Sequence, residues 1–365
     1  MTSSATPLAY QPALNGLRAV AVSIVLVQHW LPPAFPLGEL GPSLFFVLSG
    51  YLMSGIVWQY AAYVGAPGRW WPRVRTFYLR RALRIIPAYY LALLGCALLP
   101  LATVREHPGW FLLPGTNLLM YRLRGWGDGV GHFWTIAVEI QFYLLWPVVL
   151  GLLGRRLKMF LGLIGASWLF RLLWSAGVRA DMVHLLLPAS LDLFALGAVL
   201  RLNPPWLAAL ARGRYVCLAW LGWVAGRLLF VGAAWATPQA IWLAVADFLT
   251  IGWLLRAPAA SRRLGLGHPV AQWLGERSYG VYLYHLPLLV LWQRAVYHFV
   301  PEPAGRAAWM SPLPLLLLLL PVLLLLSAAS WRFVEAPINR AKRWFRYPDS
   351  PKQPDTVPTS LTDRQ

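Results

Sequence analysis

Arg18 and His29 stand in the first apolar segment, residues 14–31 (LNGLRAVAVSIVLVQHWL), with ten residues between them. Ionisable side chains inside an apolar segment are expensive, so they mark substrate paths or catalytic groups by default. On a helix rising 1.5 Å per residue the two lie about 16 Å apart along the axis, about half of a hydrocarbon core. One pole then sits near a membrane surface and the other deep. A guanidinium fork is suited to phosphate, and an imidazole to moving a proton or carrying an acyl group.

Four further segments carry polar groups of the same kind. Arg69, Arg73, Arg75, Arg80, Arg81 and Arg84 lead into an apolar stretch as FYLRRALRIIPAYY. Arg81 and Arg84 share a helix face at i, i+3, and Arg80 and Arg84 share one at i, i+4. Such a cluster serves either as a topological signal at lipid headgroups or as a phosphate site. Its all-arginine composition and its run into the apolar segment at Arg84 favour the second. The segment HFWTIAVEIQFYLLWP holds Glu139 seven residues, or two turns, after His132, with Trp134 and Gln141 beside them. A carboxylate there needs a partner or a proton, and a plain helix–helix polar contact is the alternative. His132 is expected at an interface, solvated or functional. SYGVYLYHLPLLVL buries His285 next to Pro287, with Tyr282 one turn before; the proline frees a backbone carbonyl. FFVLSGYLMSG offers Ser49 as a hydrogen bonder and Gly50 as a close-packing residue. Asp192 is a buried acid with no partner evident in the sequence.

The elements that must position these groups are read from composition. The chain has 365 residues, 58% hydrophobic and 12% charged, with a mean hydropathy of +0.55. About 25% charged is usual for globular domains, so this is an all-α, polytopic membrane helix bundle. Ten spans are expected, at about 14–31, 43–61, 83–101, 133–153, 159–175, 187–201, 215–235, 240–255, 279–298 and 312–331. Trp110–Tyr121 is too short to cross and contains Pro114 and Gly115. With the N-terminus in the cytoplasm, 24 of the 32 Lys and Arg fall on the cytoplasmic side and 5 in outer loops. That asymmetry predicts ten crossings with both ends inside. It also accounts for the net charge of +19 without nucleic acid. Residues 1–346 read as one transmembrane domain and 347–365 as a disordered cytoplasmic tail rich in Pro, Ser, Thr and Asp. No cleavable signal peptide is evident. Cys96 and Cys217 fall in apolar segments and imply no disulfide, and no metal-ligand cluster stands out.

In this topology His29 is reached from the cytoplasm and Glu139 from outside, so both are expected in the outer half, at matching depth. A histidine oriented by a carboxylate is a general-base arrangement.

Together the six motifs, ending with FVEAPINR at 333–340, resemble the acyltransferase-3 family of membrane O-acyltransferases, in the family's order over residues 10–340. The resemblance implies about ten helices and transfer of an acyl group, usually acetyl, from cytoplasmic acyl-CoA to a hydroxyl of a carbohydrate acceptor. It implies a bacterial inner-membrane location and no metal. Arg18 and His29 match the family's basic–x10–His motif, and Arg81 and Arg84 its RxxR motif on the acyl-CoA side. Glu139 matches the first acid of a paired Glu after Trp134; Ile140 replaces the second. Asn15 stands where the family often has Asp. With only a polar tail after Tyr347, a stand-alone form without a fused hydrolase-like domain is expected.

The sequence thus assigns His29 and Glu139 to catalysis and Arg18, Arg80, Arg81 and Arg84 to acetyl-CoA or another acyl-CoA. It assigns Ser49, His132, Trp134, Gln141, Tyr282 and His285 to the substrate, a glycan or lipid-linked glycan. His29 serves either as base or as transient acyl carrier. A homodimer or a polysaccharide-assembly complex is left open. A polysaccharide-precursor transporter would use the same buried polar residues but should show inverted repeats, which are not evident. A non-catalytic scaffold would tolerate apolar replacement of His29 and Glu139.

Overall fold

The computed structural model describes residues 11–31, 37–61, 70–99, 101–175, 180–230, 232–345 and 347. Arg69 and residues 348–365, most of the expected tail, lie outside them. The described residues form helices and no strand. Each of the ten expected segments falls on a helix, the seventh ending at Leu229, short of its expected bound at 235: α1 Pro12–Trp30, α2 Leu40–Ala61, α3 Trp70–Leu98, α4 Phe133–Leu153, α5 Leu157–Ser175, α6 Leu187–Leu202, α7 Gly213–Leu229, α8 Ala233–Arg256, α9 Pro269–Phe299 and α10 Pro312–Trp344. Six of them (α2, α3, α4, α5, α8 and α10) are long and apolar enough to cross a membrane by length and composition.

Local chemistry sets the helix ends. Pro12, Pro188 and Pro269 occupy the first helical turns of α1, α6 and α9, where a missing N–H costs nothing. Asn203, at φ 53°, closes α6 in the left-handed conformation. The leucine-rich α10, expected as a plain helix, widens into π turns at Leu315–Leu319 and Trp331–Glu335. The first lies between Pro314 and Pro321, which withhold backbone donors.

Small residues bring the helices together. A Cβ added to Gly50 would lie 2.1 Å from the Phe194 carbonyl oxygen, and one at Gly197 would lie 2.3 Å from that of Val47. α2 and α6 therefore touch backbone to backbone, as the small-residue reading of Gly50 expects. Phe142 of α4 stacks on Phe194 at 3.7 Å beside this seam. α1 and α9 meet equally closely, with Gly275 against the Asn15 carbonyl. Asn15 Nδ2 donates to the Gln272 carbonyl at 3.0 Å, so the residue that replaces a family acid works as a helix tie.

Two buried carboxylates have partners on neighbouring helices. Asp192 of α6 meets Arg171 of α5 and accepts from Trp168 Nε1 at 2.9 Å. The partner missing from the sequence reading is therefore an arginine of the preceding helix. Asp247 of α8, passed over in the sequence, is fully buried and accepts from Ser43 Oγ of α2 at 2.6 Å.

Three expectations are corrected. Gln141 does not face a substrate site: its Nε2 donates to the Pro114 carbonyl at 2.6 Å and to Asn117 Oδ1 at 2.9 Å. It pins the break between the short helices Pro108–Leu112 and Thr116–Leu123. Arg80 donates to the carbonyls of Lys342 and Phe345 and lies over the Tyr347 ring. Its neighbour Arg81 points elsewhere because consecutive residues on a helix diverge by about 100°. Tyr347, assigned to the tail, is buried.

Removing one partner of a buried ion pair strands the other. Asp192→Ala should cost about 3–5 kcal/mol of stability, and Asp192→Asn, which keeps an acceptor for Trp168, less. Thermal unfolding in detergent checks this; equal melting points for wild type and Asp192→Ala would refute it.

Candidate active site

Three helices each carry two polar levels. α1 has Arg18 and His29, α4 has Glu139 with His132 just before its first turn, and α9 has Ser278 and His285. The first pair is offset by eleven positions and each of the others by seven, spacings of about 16 and 10 Å along a helix. The histidines gather at one level, and Arg18, Glu139 and Ser278 at the other.

At the second level a cavity of about 80 Å³ is lined by Arg18, Arg81, Arg84, Ser49, Glu139 and Tyr143, with apolar walls from α2, α3 and α4. Arg18 Nε donates to Ser278 Oγ at 3.4 Å. Arg81 Nε is buried without a hydrogen-bond partner. Glu139 accepts from Ser49 Oγ at 2.6 Å and from the Tyr143 hydroxyl one turn along α4. Three guanidinium groups and one carboxylate leave this cavity cationic, suited to a polyanion.

At the first level a cavity of about 520 Å³ is lined by His29, His132, Gln28, Glu39, Trp126, Trp134, His184 and Trp223, among others. His29 is exposed within it. His285 is fully buried, with its ring 5.0 Å from that of His29 and 4.9 Å from that of His132. Backbone carbonyls fix the tautomers, because a carbonyl only accepts. His29 Nδ1 donates to Val25 O at 2.9 Å, His285 Nδ1 to Tyr282 O at 2.7 Å and His132 Nε2 to Leu283 O at 3.1 Å. The lone pair of His29 is thereby assigned to Nε2. Leu283 is four residues before Pro287, so its carbonyl has no helical donor; the carbonyl freed by the proline is the one His132 bonds.

The two cavities share a wall made of Pro42 and Tyr282. The Tyr282 hydroxyl accepts from Thr135 Oγ1 at 2.6 Å and donates to the His132 carbonyl at 2.9 Å, so the ring is held on both sides.

The structure thus gathers His29, His132, Trp134, Tyr282 and His285 on the histidine side, and Arg18, Arg81, Arg84, Ser49 and Glu139 on the arginine side. Glu139 does not orient His29: no hydrogen bond joins them among the described residues, and they line different cavities. Glu139 lies two turns further along α4 than His132, which is the residue level with His29. His132, allowed a solvated interface in the sequence reading, is buried. Tyr143, Thr135, Ser278, Trp126 and His184 were missed. The i+4 spacing from Glu139 signals Tyr143. The glycine-rich GWGDGVG run signals Trp126, in a loop where Gly127 and Gly129 take positive φ.

Comparison with known proteins follows the same residues. A family model described as an acyltransferase domain, of the acyltransferase-3 family, matches residues 11–332. The chain is 24% identical to the peptidoglycan O-acetyltransferase OatA of Listeria monocytogenes, over 91% of its own length and 56% of the relative's. It is 25% identical to the putative peptidoglycan O-acetyltransferase YrhL of Bacillus subtilis, over 90% and 55%. A putative O-acetyltransferase of Staphylococcus aureus is 30% identical over 41% of this chain and 26% of that protein. The chain spans about half the length of the first two relatives. No solved structure matches. On the extent of the family match, the chain belongs to the acyltransferase-3 family.

Proposed function

We propose that the protein is a ten-span inner-membrane O-acetyltransferase, with both termini cytoplasmic, that moves acetyl from acetyl-CoA to a hydroxyl of a carbohydrate. The observation that carries the reading is the pair of cavities back to back: one cationic, one lined by histidine, with a wall of Pro42 and Tyr282 between. The activities for which the relatives are named support the acetyl group and the glycan. The lysine and arginine asymmetry supports placing the arginine cavity toward the cytoplasm and the histidine cavity outward.

Donor phosphates bind Arg81, Arg84 and Arg18, and the apolar walls from α2, α3 and α4 take the acetyl-thioester end. Displacement at Tyr282 brings the thioester to the histidine side. His29 Nε2 accepts the proton of the acceptor hydroxyl as its oxygen bonds the acyl carbon; the carbon–sulfur bond breaks and the thiolate takes up a proton. In a two-step route His29 Nε2 bonds the acyl carbon as the carbon–sulfur bond breaks and the thiolate takes up a proton; the acceptor oxygen then bonds that carbon as the nitrogen–carbon bond breaks, and the hydroxyl proton replaces the one the thiolate took. Acetyl label on His29 in acceptor-free protein distinguishes the two-step route from the direct one. Glu139 acts on the donor side, holding Ser49 and Tyr143 and offsetting the arginine charge.

Reconstituted protein, labelled acetyl-CoA and a glycan acceptor test this reading. His29→Ala should lower transfer by about 10²–10⁴-fold at unchanged expression; wild-type turnover in that variant would sink it. Arg81→Ala with Arg84→Ala should raise the donor KM by about 10- to 100-fold per arginine, the equivalent of about 1.5–3 kcal/mol for each lost charged hydrogen bond. An unchanged donor KM would remove the docking role. Glu139→Gln should change the donor KM and leave the pH profile of kcat where it was; a displaced profile would restore the carboxylate to His29.

A further inference from the structure

Three histidines, from α1, from α9 and from just before α4, stand ring to ring. The centroid of His285 lies 5.0 Å from that of His29 and 4.9 Å from that of His132. Trp30, the next residue of α1, fixes the first separation: its Nε1 donates to the His285 carbonyl at 3.2 Å. Each ring spends its one N–H on a backbone carbonyl, His29 on Val25, His285 on Tyr282 and His132 on Leu283. Lone pairs are left at His29 Nε2, His285 Nε2 and His132 Nδ1. The last two atoms are buried and have no hydrogen-bond partner. Among the described residues no carboxylate bonds any of the three rings.

Such a cluster is rich in acceptors and holds no donor. A ligand cannot supply one, because neither buried nitrogen is open to a cavity. A proton on His29 can. It turns Nε2 from acceptor into donor, and rings 5.0 Å apart stand at a separation where one imidazole can donate to the next. The bond is charge-assisted and lies in a medium of low polarity, which strengthens it. His132 has a lone pair and no N–H to spare, so His29 has no rival as donor to His285. A second proton would set two cations side by side among apolar helices, so the cluster holds one at a time.

We propose that His285 is the positioning residue for His29: it accepts a hydrogen bond from His29 Nε2 once that atom has taken the proton of the acceptor hydroxyl. This rests on the reading of His29 as the base of an O-acetyltransferase. The oxygen–hydrogen bond of the acceptor breaks and a nitrogen–hydrogen bond forms at His29 Nε2. That N–H swings onto the His285 lone pair. The proton then leaves for the departing thiolate through His29, the ring that opens onto the cavity.

The test separates the two nitrogens of His285. His285→Asn keeps an amide near Nδ1 for the Tyr282 carbonyl and removes the acceptor at Nε2. His285→Gln places an amide oxygen near Nε2 and gives up the Tyr282 bond. The full chain in phospholipid nanodiscs is treated with diethyl pyrocarbonate over a pH series, and modification of His29 is read by mass spectrometry. The reagent needs an unprotonated ring, so the midpoint reports how firmly His29 holds a proton. Glu39, His132, His184 and Arg227 line the same cavity and are common to all variants. His285→Asn should move the midpoint to lower pH by about one to two units and lower kcat for acetyl transfer by about 10- to 100-fold, the worth of one charged hydrogen bond. His285→Gln should fall between Asn and wild type in both. A role confined to the Tyr282 bond predicts the reverse order, and that order overturns the proposal. So does a wild-type midpoint in a folded His285→Asn. Should that variant not fold, His285→Gln decides, and a midpoint lowered by more than about one unit overturns the proposal. A lowered midpoint in His285→Asn with no acetyl transfer by the wild type overturns the acetyltransferase reading instead, and with it the step assigned to this pair.

Discussion

A buried backbone carbonyl has to be bonded, and Pro287 leaves one at Leu283 without its helical donor. His132 supplies the missing bond. That contact ties the start of α4 to the middle of α9. It brings the His132 carbonyl to the Tyr282 hydroxyl, and Thr135 closes the same knot. Tyr282 is thereby held as the wall in this structure, and its own carbonyl holds His285. The wall that both cavities share is held where one helix is interrupted at Pro287 and a side chain of another supplies the missing bond.

Below this knot a second device keeps the arrangement compact. Helices that touch backbone to backbone at Gly50, Gly197 and Gly275 cannot slide without collision. The levels of Arg18 on α1 and Ser278 on α9 are therefore locked to each other, and with them those of His29 and His285. Seven- and eleven-residue spacings on different helices come into register only when the helices are held at fixed heights. This gives the glycine seams a functional meaning beyond packing.

Much of this was legible in the residues. Every expected apolar segment is a helix, because apolar runs bounded by Pro, Gly and Arg leave few alternatives. His29, Arg18, Arg81 and Arg84 were singled out by the cost of placing charge among leucines, and all four line cavities. What could not be read was pairing across helices. Glu139 and His132 share one face of α4, yet two turns of rise put them in different cavities. The partner of Asp192 was invisible because Arg171 sits 21 positions away on another helix. Arg80 and Gln141 resemble site residues by type, and only geometry shows them bonded to backbone carbonyls.

The wall of Pro42 and Tyr282 has an electrical consequence. In a membrane, cavities that admit water from opposite sides carry each bath's potential inward, so the voltage falls over what remains between them. One elementary charge crossing the full drop exchanges about 2.3 kcal/mol per 100 mV. Were the two cavities filled with water from opposite sides, the drop would be compressed into the thickness of a tyrosine and a proline. A neutral acetyl group passes such a septum without electrical work, whereas a proton or a phosphate does not.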